Sequence, residues 1–258
     1  MYNAIMHFKY LLAICALLAS CTAMARGKHQ PVKYITIPES YLIADSNGTI
    51  LKEQDINIQR PIASISKLMV GLLASSQDLT EQLSIPTKRT VTSSIPRNQK
   101  TLSRNELLTL ALVRSDNFAA QILCDNISDC VLAMNVRAKE LGMFHTFYEE
   151  PTGLSKNNVS TANDLLKLLI VASTNQTITS LSSMPTAIIE NGKHTIKIKN
   201  TNPLTHTLNI LLSKTGFTNP AGQCLVMGVH SPFGLRYLIL LGSKHRIPEM
   251  QKLYSSMS

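Results

Sequence analysis

The stretch Asn209–Leu241, NILLSKTGFTNPAGQCLVMGVHSPFGLRYLILL, decides the fold. Its strand-like runs Asn209–Thr215, Gln223–Val229 and Leu235–Leu241 are separated by Pro220-Ala221-Gly222 and Ser231-Pro232-Phe233-Gly234, residues that interrupt strands and turn chains. A closing helix is predicted over Arg246–Ser256. At the other end, Tyr41–Ala44 and Thr49–Lys52 flank Asp45-Ser46-Asn47-Gly48, and the Asn-Gly pair predicts a hairpin with a type I′ turn. Between these ends the period is helical. Helices are predicted from Ser64 to Ser75 after Pro61, and from a capping box at Ser103 and Glu106. Further helices are predicted over Asn117–Leu123 after a break at Ser115-Asp116, over Val131–Leu141 with Gly142 as its stop, and from Thr161 to Val171. Ile188-Ile189, a turn at Asn191-Gly192 and the alternation Thr195–Lys199 predict a small second hairpin. Strands, then helices, then strands and a helix imply an α+β fold. Its sheet draws on both chain ends, with helices packed on it and a helical lobe in the middle. A cleft between the two parts is where chemistry is expected.

The 258 residues, 44% apolar and 16% charged, suffice for a sizeable core and exclude a disordered chain. Lys and Arg number 25 against 16 acidic residues, a net charge of +9 that suits a surface meeting anionic polymers. The basic residues are scattered singly, without zinc-finger spacing or an aromatic-basic cluster, so no nucleic-acid partner is expected. His7 and Lys9 precede an apolar run, Tyr10–Ala19, too short to span a bilayer comfortably, which reads as a signal peptide. Ala23-Met24-Ala25 predicts cleavage before Arg26, making residues 1–25 the signal peptide and 26–258 a single domain. Leu18-Ala19-Ser20-Cys21 is the competing pattern, a lipobox that would place a lipid anchor on Cys21. Either route exports the chain to the periplasm with no transmembrane anchor after processing.

Cys124 and Cys130 flank a short polar loop that could close as a disulfide in an oxidising compartment; their spacing leaves this open. Cys224, within Cys224-Leu225-Val226-Met227, reads as a buried strand residue. None of the seven histidines shows metal-ligand spacing and no Cys-x-x-Cys pair occurs, so neither metal nor cofactor is expected.

Ser64-Ile65-Ser66-Lys67 puts a hydroxyl and an amine on one helix face, a turn apart. A lysine can take the proton of such a serine once burial, nearby positive charge or a helix N-terminus lowers its pKa. Alone, the pattern is equally an N-capping serine and a surface lysine. Ser115-Asp116-Asn117 falls at the joint of two predicted helices, where a hydroxyl and a carboxamide can face a cleft and hold a substrate carbonyl. Ser155-Lys156-Asn157 has the same form. Lys214-Thr215-Gly216 ends a predicted strand, offering a cation and a hydroxyl to a carboxylate, with a glycine that permits close backbone approach. The trio Ser-x-x-Lys, Ser-Asp-Asn and Lys-Thr-Gly, in this order, is that of class A β-lactamases and penicillin-binding proteins.

The neighbourhoods narrow the match. Pro61–Met69, Glu150–Ser155 with Asn158–Ala162, and Lys214–Met227 resemble the low-molecular-mass penicillin-binding proteins, in particular their D-alanyl-D-alanine endopeptidase subgroup, and the likeness covers roughly Ser40 to Gly242. It implies a β-lactamase/transpeptidase-like fold with a five-stranded antiparallel sheet. By the same resemblance Ser64 would be the nucleophile, Lys67 its base and Ser115 a proton relay. Asn117 would position the substrate, Lys214 and Thr215 with Gly216 would bind its carboxylate, and the N–H groups of Ser64 and Phe217 would form an oxyanion hole. Lys214 would also help keep Lys67 neutral, and Ser155 falls in a structural segment. The implied substrate is the peptide of peptidoglycan, cleaved as an endopeptidase with some carboxypeptidase activity, and β-lactams would be covalent inhibitors. A D-Ala-D-Ala carboxypeptidase is the nearest alternative. A class A-like β-lactamase lacks support because the Glu-x-x-Leu-Asn loop is absent, and a non-catalytic penicillin sensor would not need Ser64, Lys67 and Lys214 together.

Overall fold

The computed structural model describes residues 39–257 other than 90, 192 and 193. The predicted signal peptide with Cys15 and Cys21, and Gly192 of the predicted second turn, lie outside the described residues. In chain order the elements are β1 (Ser40–Asp45), β2 (Ile50–Gln54), β3 (Arg60–Pro61), a 3-10 turn at Ala63–Ser66 running into α1 (Lys67–Ala74), β4 (Gln82–Ser84) and β5 (Thr101–Ser103). There follow α2 (Arg104–Val113), α3 (Asn117–Asp125), α4 (Cys130–Glu140), β6 (Val159–Ser160), α5 (Ala162–Ser173) and α6 (Gln176–Ser182). The chain ends with β7 (Thr186–Asn191), β8 (His194–Lys199), β9 (Ile210–Thr218), β10 (Gly222–Ser231), β11 (Gly234–Ser243) and α7 (Arg246–Ser255).

The main sheet has five antiparallel strands in the order β2-β1-β11-β10-β9, so strands from the two halves of the chain meet at β1 and β11. β11 carries an unbroken apolar run because both of its faces are covered. Ile239 and Leu241 join Leu42, Ala44 and Val226 in the core under the helical lobe, whereas Leu238 and Leu240 join Ile43, Leu225 and Met227 against Met250 and Leu253 of α7. Slipping a strand by one residue would exchange these two sets, so both cores fix the register, including that of β9, which pairs Lys214 with Val226 and Gly216 with Cys224.

Local chemistry accounts for most boundaries. Ser103 and Glu106 form the expected capping box at the start of α2. Thr161 caps α5 through Asp164 N, and Asp116 caps α3 through Ala119 N. Gly142 takes a φ of +72° just past α4. The first hairpin differs from the predicted type I′ turn. Gly48 alone has positive φ, at +83°, and Gly48 N donates to Asp45 O while Asp45 N donates to Thr49 O, a type I turn closed by a glycine bulge. The cause is Asp45, whose Oδ1 accepts from both Asn47 N and Thr49 N at 2.9 Å and holds Asn47 in an ordinary turn conformation. Cys124 and Cys130 are joined, with Cα atoms 5.4 Å apart, and tie α3 to α4. Cys224 is a buried free thiol whose pKa burial raises to about 11. No helix among the described residues is long and apolar enough to cross a membrane.

Candidate active site

Ser64 sits in the 3-10 turn that leads into α1, and Lys67 is the first residue of that helix. The turn begins with Ala63 at a φ of +48°, a left-handed value that costs a residue with a Cβ on the order of 1 kcal/mol or more and recurs at functional sites. Lys67 is 0% exposed, and its Nζ lies 2.8 Å from Ser64 Oγ, 2.8 Å from Asn117 Oδ1 and 2.5 Å from Thr152 O. Burial lowers its pKa from 10.5 to about 7, against the opposing pull of the Glu150 and Asp116 carboxylates. Of the causes that the sequence suggested, burial is the largest.

Asn117 reaches this cluster because the chain breaks between α2 and α3. Ser115 holds a φ of +62° in the joint, Asp116 caps α3, and Asn117 opens that helix pointing back at Lys67. Ser115 Oγ accepts from Lys214 Nζ at 2.8 Å, and Lys214 Nζ also donates to Thr215 O at 2.9 Å. Lys214 is 1% exposed; burial first, then the Lys67 charge, then that of Arg246, push it well below the usual lysine range. Thr215 Oγ1 donates to Thr201 Oγ1 at 2.6 Å. Gly216 is required: a Cβ there would stand 2.8 Å from Ile62 O and 3.2 Å from Ser64 N. The strand end therefore lies against the nucleophile turn, and Phe217 just beyond it projects an exposed ring.

The residues singled out from sequence are thus gathered at one place, in two hydrogen-bonded groups. Ser64, Lys67 and Asn117 form one, and Ser115, Lys214 and Thr215 the other. Ser155 is elsewhere, its hydroxyl bonded to Glu149. Among the described residues no group of His, Cys, Asp or Glu could hold a metal ion.

Several members of the site escaped the sequence reading. Thr152 offers a backbone carbonyl, which leaves no trace in a motif. It is aimed at Lys67 by Glu150, which accepts from Thr152 N (2.6 Å), Thr152 Oγ1 (2.5 Å), Gly153 N (2.6 Å) and Ser155 N (3.2 Å). Asn158, fully buried, accepts from Glu149 N and donates to Ser66 Oγ at 2.9 Å, fastening that segment to the nucleophile turn. Gly153, at a φ of +83°, leaves a Cβ no room, since it would fall 1.9 Å from Ala63 O. The signal was present in the Glu150-Pro151-Thr152-Gly153 segment, but its chemistry is structural. Arg246, the first residue of α7, donates to Gly216 O at 3.1 Å and brings a guanidinium that stays charged beside Lys214.

A sheet drawn from both chain ends, a helical lobe and a Ser–Lys pair facing a second lysine across the joint are the layout of penicillin-binding proteins and DD-transpeptidases. A penicillin-binding protein of Listeria monocytogenes in its ampicillin-bound form is 29% identical with a TM-score of 0.76, the match covering 84% of this chain and 95% of that one. A mutant Streptomyces DD-transpeptidase at 20% identity shares the fold, with a TM-score of 0.76 over 84% of this chain and 95% of that one.

The sequence pattern of the D-alanyl-D-alanine carboxypeptidase family matches residues 27–232, and the chain belongs to that family of serine hydrolases. A D-alanyl-D-alanine endopeptidase of Pseudomonas aeruginosa is 37% identical over 232 residues, 83% of this chain and 75% of that protein. One of Escherichia coli is 41% identical over 204 residues, 73% of this chain and 66% of that protein.

Proposed function

We propose that the protein is an exported, periplasmic D-alanyl-D-alanine endopeptidase that opens peptide cross-links of peptidoglycan through a serine acyl-enzyme, with carboxypeptidase activity at the same site. The observation that carries this reading is the buried Lys67 amine, held near pKa 7 at 2.8 Å from Ser64 Oγ. As a neutral amine, Lys67 has two N–H bonds for Asn117 Oδ1 and Thr152 O and one lone pair left to accept the Ser64 hydroxyl proton. That proton passes to Lys67 as Oγ bonds to the carbonyl carbon of the D-alanyl peptide bond. The oxyanion forms against the N–H groups of Ser64 and Phe217. Collapse breaks the C–N bond, and Ser115, hydrogen-bonded to Lys214, relays a proton to the departing amine. Water then adds to the ester, releases the D-alanyl carboxylate and restores Ser64.

Lys214, Thr215 and Arg246 form the end of the site that would receive the carboxylate beside the scissile bond. Arg246 supplies the permanent cation there, because burial and mutual repulsion oppose protonating both lysines. Support for an endopeptidase comes from the names of the relatives and from the Glu150–Ala162 segment; the family description favours the carboxypeptidase. Purified cross-linked muropeptides decide between them. Conversion of dimers to monomers, lost with Ser64→Ala, is the expected result, and release of terminal D-alanine alone would overturn the endopeptidase reading. Intact mass after benzylpenicillin should show one penicilloyl adduct, absent from Ser64→Ala.

A further inference from the structure

Next to the catalytic groups lies an open cavity of about 890 Å³ that begins at Asn117 and Leu154 and runs along Val91, Ile95 and Arg97. None of Ser64, Lys214 or Thr215 lines it, so it leaves the reacting centre on the Asn117 side, away from the end that would hold the carboxylate. A smaller opening of about 250 Å³, between Ser115 and Ser94, carries Arg114. The volume of the larger one is that of a ligand pocket with space for a length of peptide.

The charge of the two openings, which share Thr92, Ser93 and Asn117, is one-sided. Arg97 and Arg114 are exposed, and among the described residues neither has a carboxylate within ion-pairing distance. Asp116, the acid that lines the smaller opening with Arg114, is buried and spends its oxygens on Ala119 N at 3.0 Å, Ser93 Oγ at 3.0 Å and Ser94 N at 2.5 Å. The same bonds fix the wall. Arg89 adds to them, donating to Ile95 O at 2.5 Å and Pro96 O at 2.7 Å with its guanidinium 5.4 Å from the centre of the Phe118 ring. A wall anchored to the start of α3 holds the backbone that carries Arg97 in place, so the ordering cost of binding is confined to the side chains.

We infer that this cavity, together with the smaller opening that adjoins it at Thr92, Ser93 and Asn117, is an acyl-side subsite for an anionic peptide, and that Arg97 in the one and Arg114 in the other are specificity-determining residues that receive a carboxylate lying one or two residues before the scissile D-alanyl bond. Val91, Ile95 and Leu154 pack the aliphatic part of that residue. The inference rests on the acyl-enzyme reading above, which fixes the direction in which the acyl portion leaves Ser64.

The test is kcat/KM for N-acetylated tripeptides that end in D-alanyl-D-alanine and begin with glutamate or with glutamine, measured for the full chain, for Arg97→Ala and for the Arg97→Ala, Arg114→Ala double variant. The wild type should prefer the glutamyl peptide by about tenfold at low salt, a preference that 0.5 M salt reduces and the double variant removes. Equal rates on the two peptides, or a preference that survives in the double variant, overturn the subsite. Benzylpenicillin labelling of the wild type separates the two readings. A protein that is labelled on Ser64 but has no preference loses only the subsite, and one that is never labelled loses the acyl-enzyme as well.

Discussion

Carrying the pH across the ionisation of Lys67 should switch the nucleophile on. Burial holds that ammonium near pKa 7, against an ordinary 10.5. The neutral fraction is then roughly one-tenth at pH 6, half at pH 7 and nine-tenths at pH 8. If the neutral amine is the base, acylation by benzylpenicillin at sub-saturating concentration must follow that fraction. The rate constant should rise about ninefold to tenfold from pH 6 to pH 8, with a slope near one decade per unit on the acid side. Quenched-flow samples read by intact mass give the rate without needing turnover. Lys67→Arg is the companion variant: a guanidinium keeps its proton throughout this range and should not support acylation. A wild-type profile flat between pH 6 and pH 8, or one whose limb lies near the ordinary lysine value, would refute the argument that burial sets the base.

The same pKa has a thermodynamic consequence of fixed sign. The unfolded chain keeps the Lys67 proton up to the ordinary lysine pKa of 10.5 and the folded chain gives it up near 7, so stability rises with pH across that window. At and below the folded pKa the buried lysine costs about 5 kcal/mol, less whatever its hydrogen bonds return. Urea titrations should show wild-type stability gaining on Lys67→Met by up to about 1.4 kcal/mol per pH unit between the two pKa values, and a difference independent of pH would contradict this. Gly153→Ala forces a Cβ to within 1.9 Å of Ala63 O at a φ of +83°. It should cost on the order of 2 kcal/mol or more and slow acylation by displacing the nucleophile turn, whereas an unchanged melting point and rate would mean that the Glu150–Ser155 segment is free to move. Replacing both Cys124 and Cys130 by alanine opens a loop of sequence separation 6 and should lower unfolding free energy by about 2 kcal/mol while Ser64 still takes up benzylpenicillin; loss of labelling would tie the disulfide to the site.

What could be read in advance divides by the range of the interaction that fixes it. Strands β10 and β11 announced themselves because their central residues are covered on both faces and so are apolar, and β9 did so through the Ile210–Leu212 run that precedes its polar Ser213-Lys214-Thr215. The Ser103 and Glu106 box and the Ser64 and Lys67 pair are contacts within one turn, which spacing alone specifies. Helix α6 was not expected. Its polar sequence Gln-Thr-Ile-Thr-Ser-Leu-Ser has weak helix propensity, and it is held by the Asn175 cap and by burial of Ile178 and Leu181 against the lobe. The turn after β1 was misread for a local reason of a different kind, in that the Asp45 side chain competes with the Asn-Gly preference and wins. Arg246 reaches Gly216 across 30 positions of sequence, and Thr152 contributes through its backbone. Neither has a signature that spacing or composition could carry.

The way the site is held together also sets how it can change. Ala63 and Ser115 sit at left-handed φ values, and Lys67 and Lys214 are stripped of water, each a cost that the rest of the fold must offset. What offsets it is a set of fixed acceptors. Ser64 Oγ, Asn117 Oδ1 and Thr152 O surround one amine; Ser115 Oγ and Thr215 O hold the other. Asn158 and Glu150 keep the Thr152 carbonyl where it is needed, and the register of β9 against β10 does the same for Lys214. Substitutions that relieve the cost by making either lysine apolar therefore raise stability near neutral pH and remove the group that must lose or share a proton. Substitutions that loosen the acceptors lower stability and free the lysine to find water, which returns its pKa toward the ordinary value and leaves Ser64 without a base. Stability and reactivity thus change in opposite directions at the lysines and together at their acceptors.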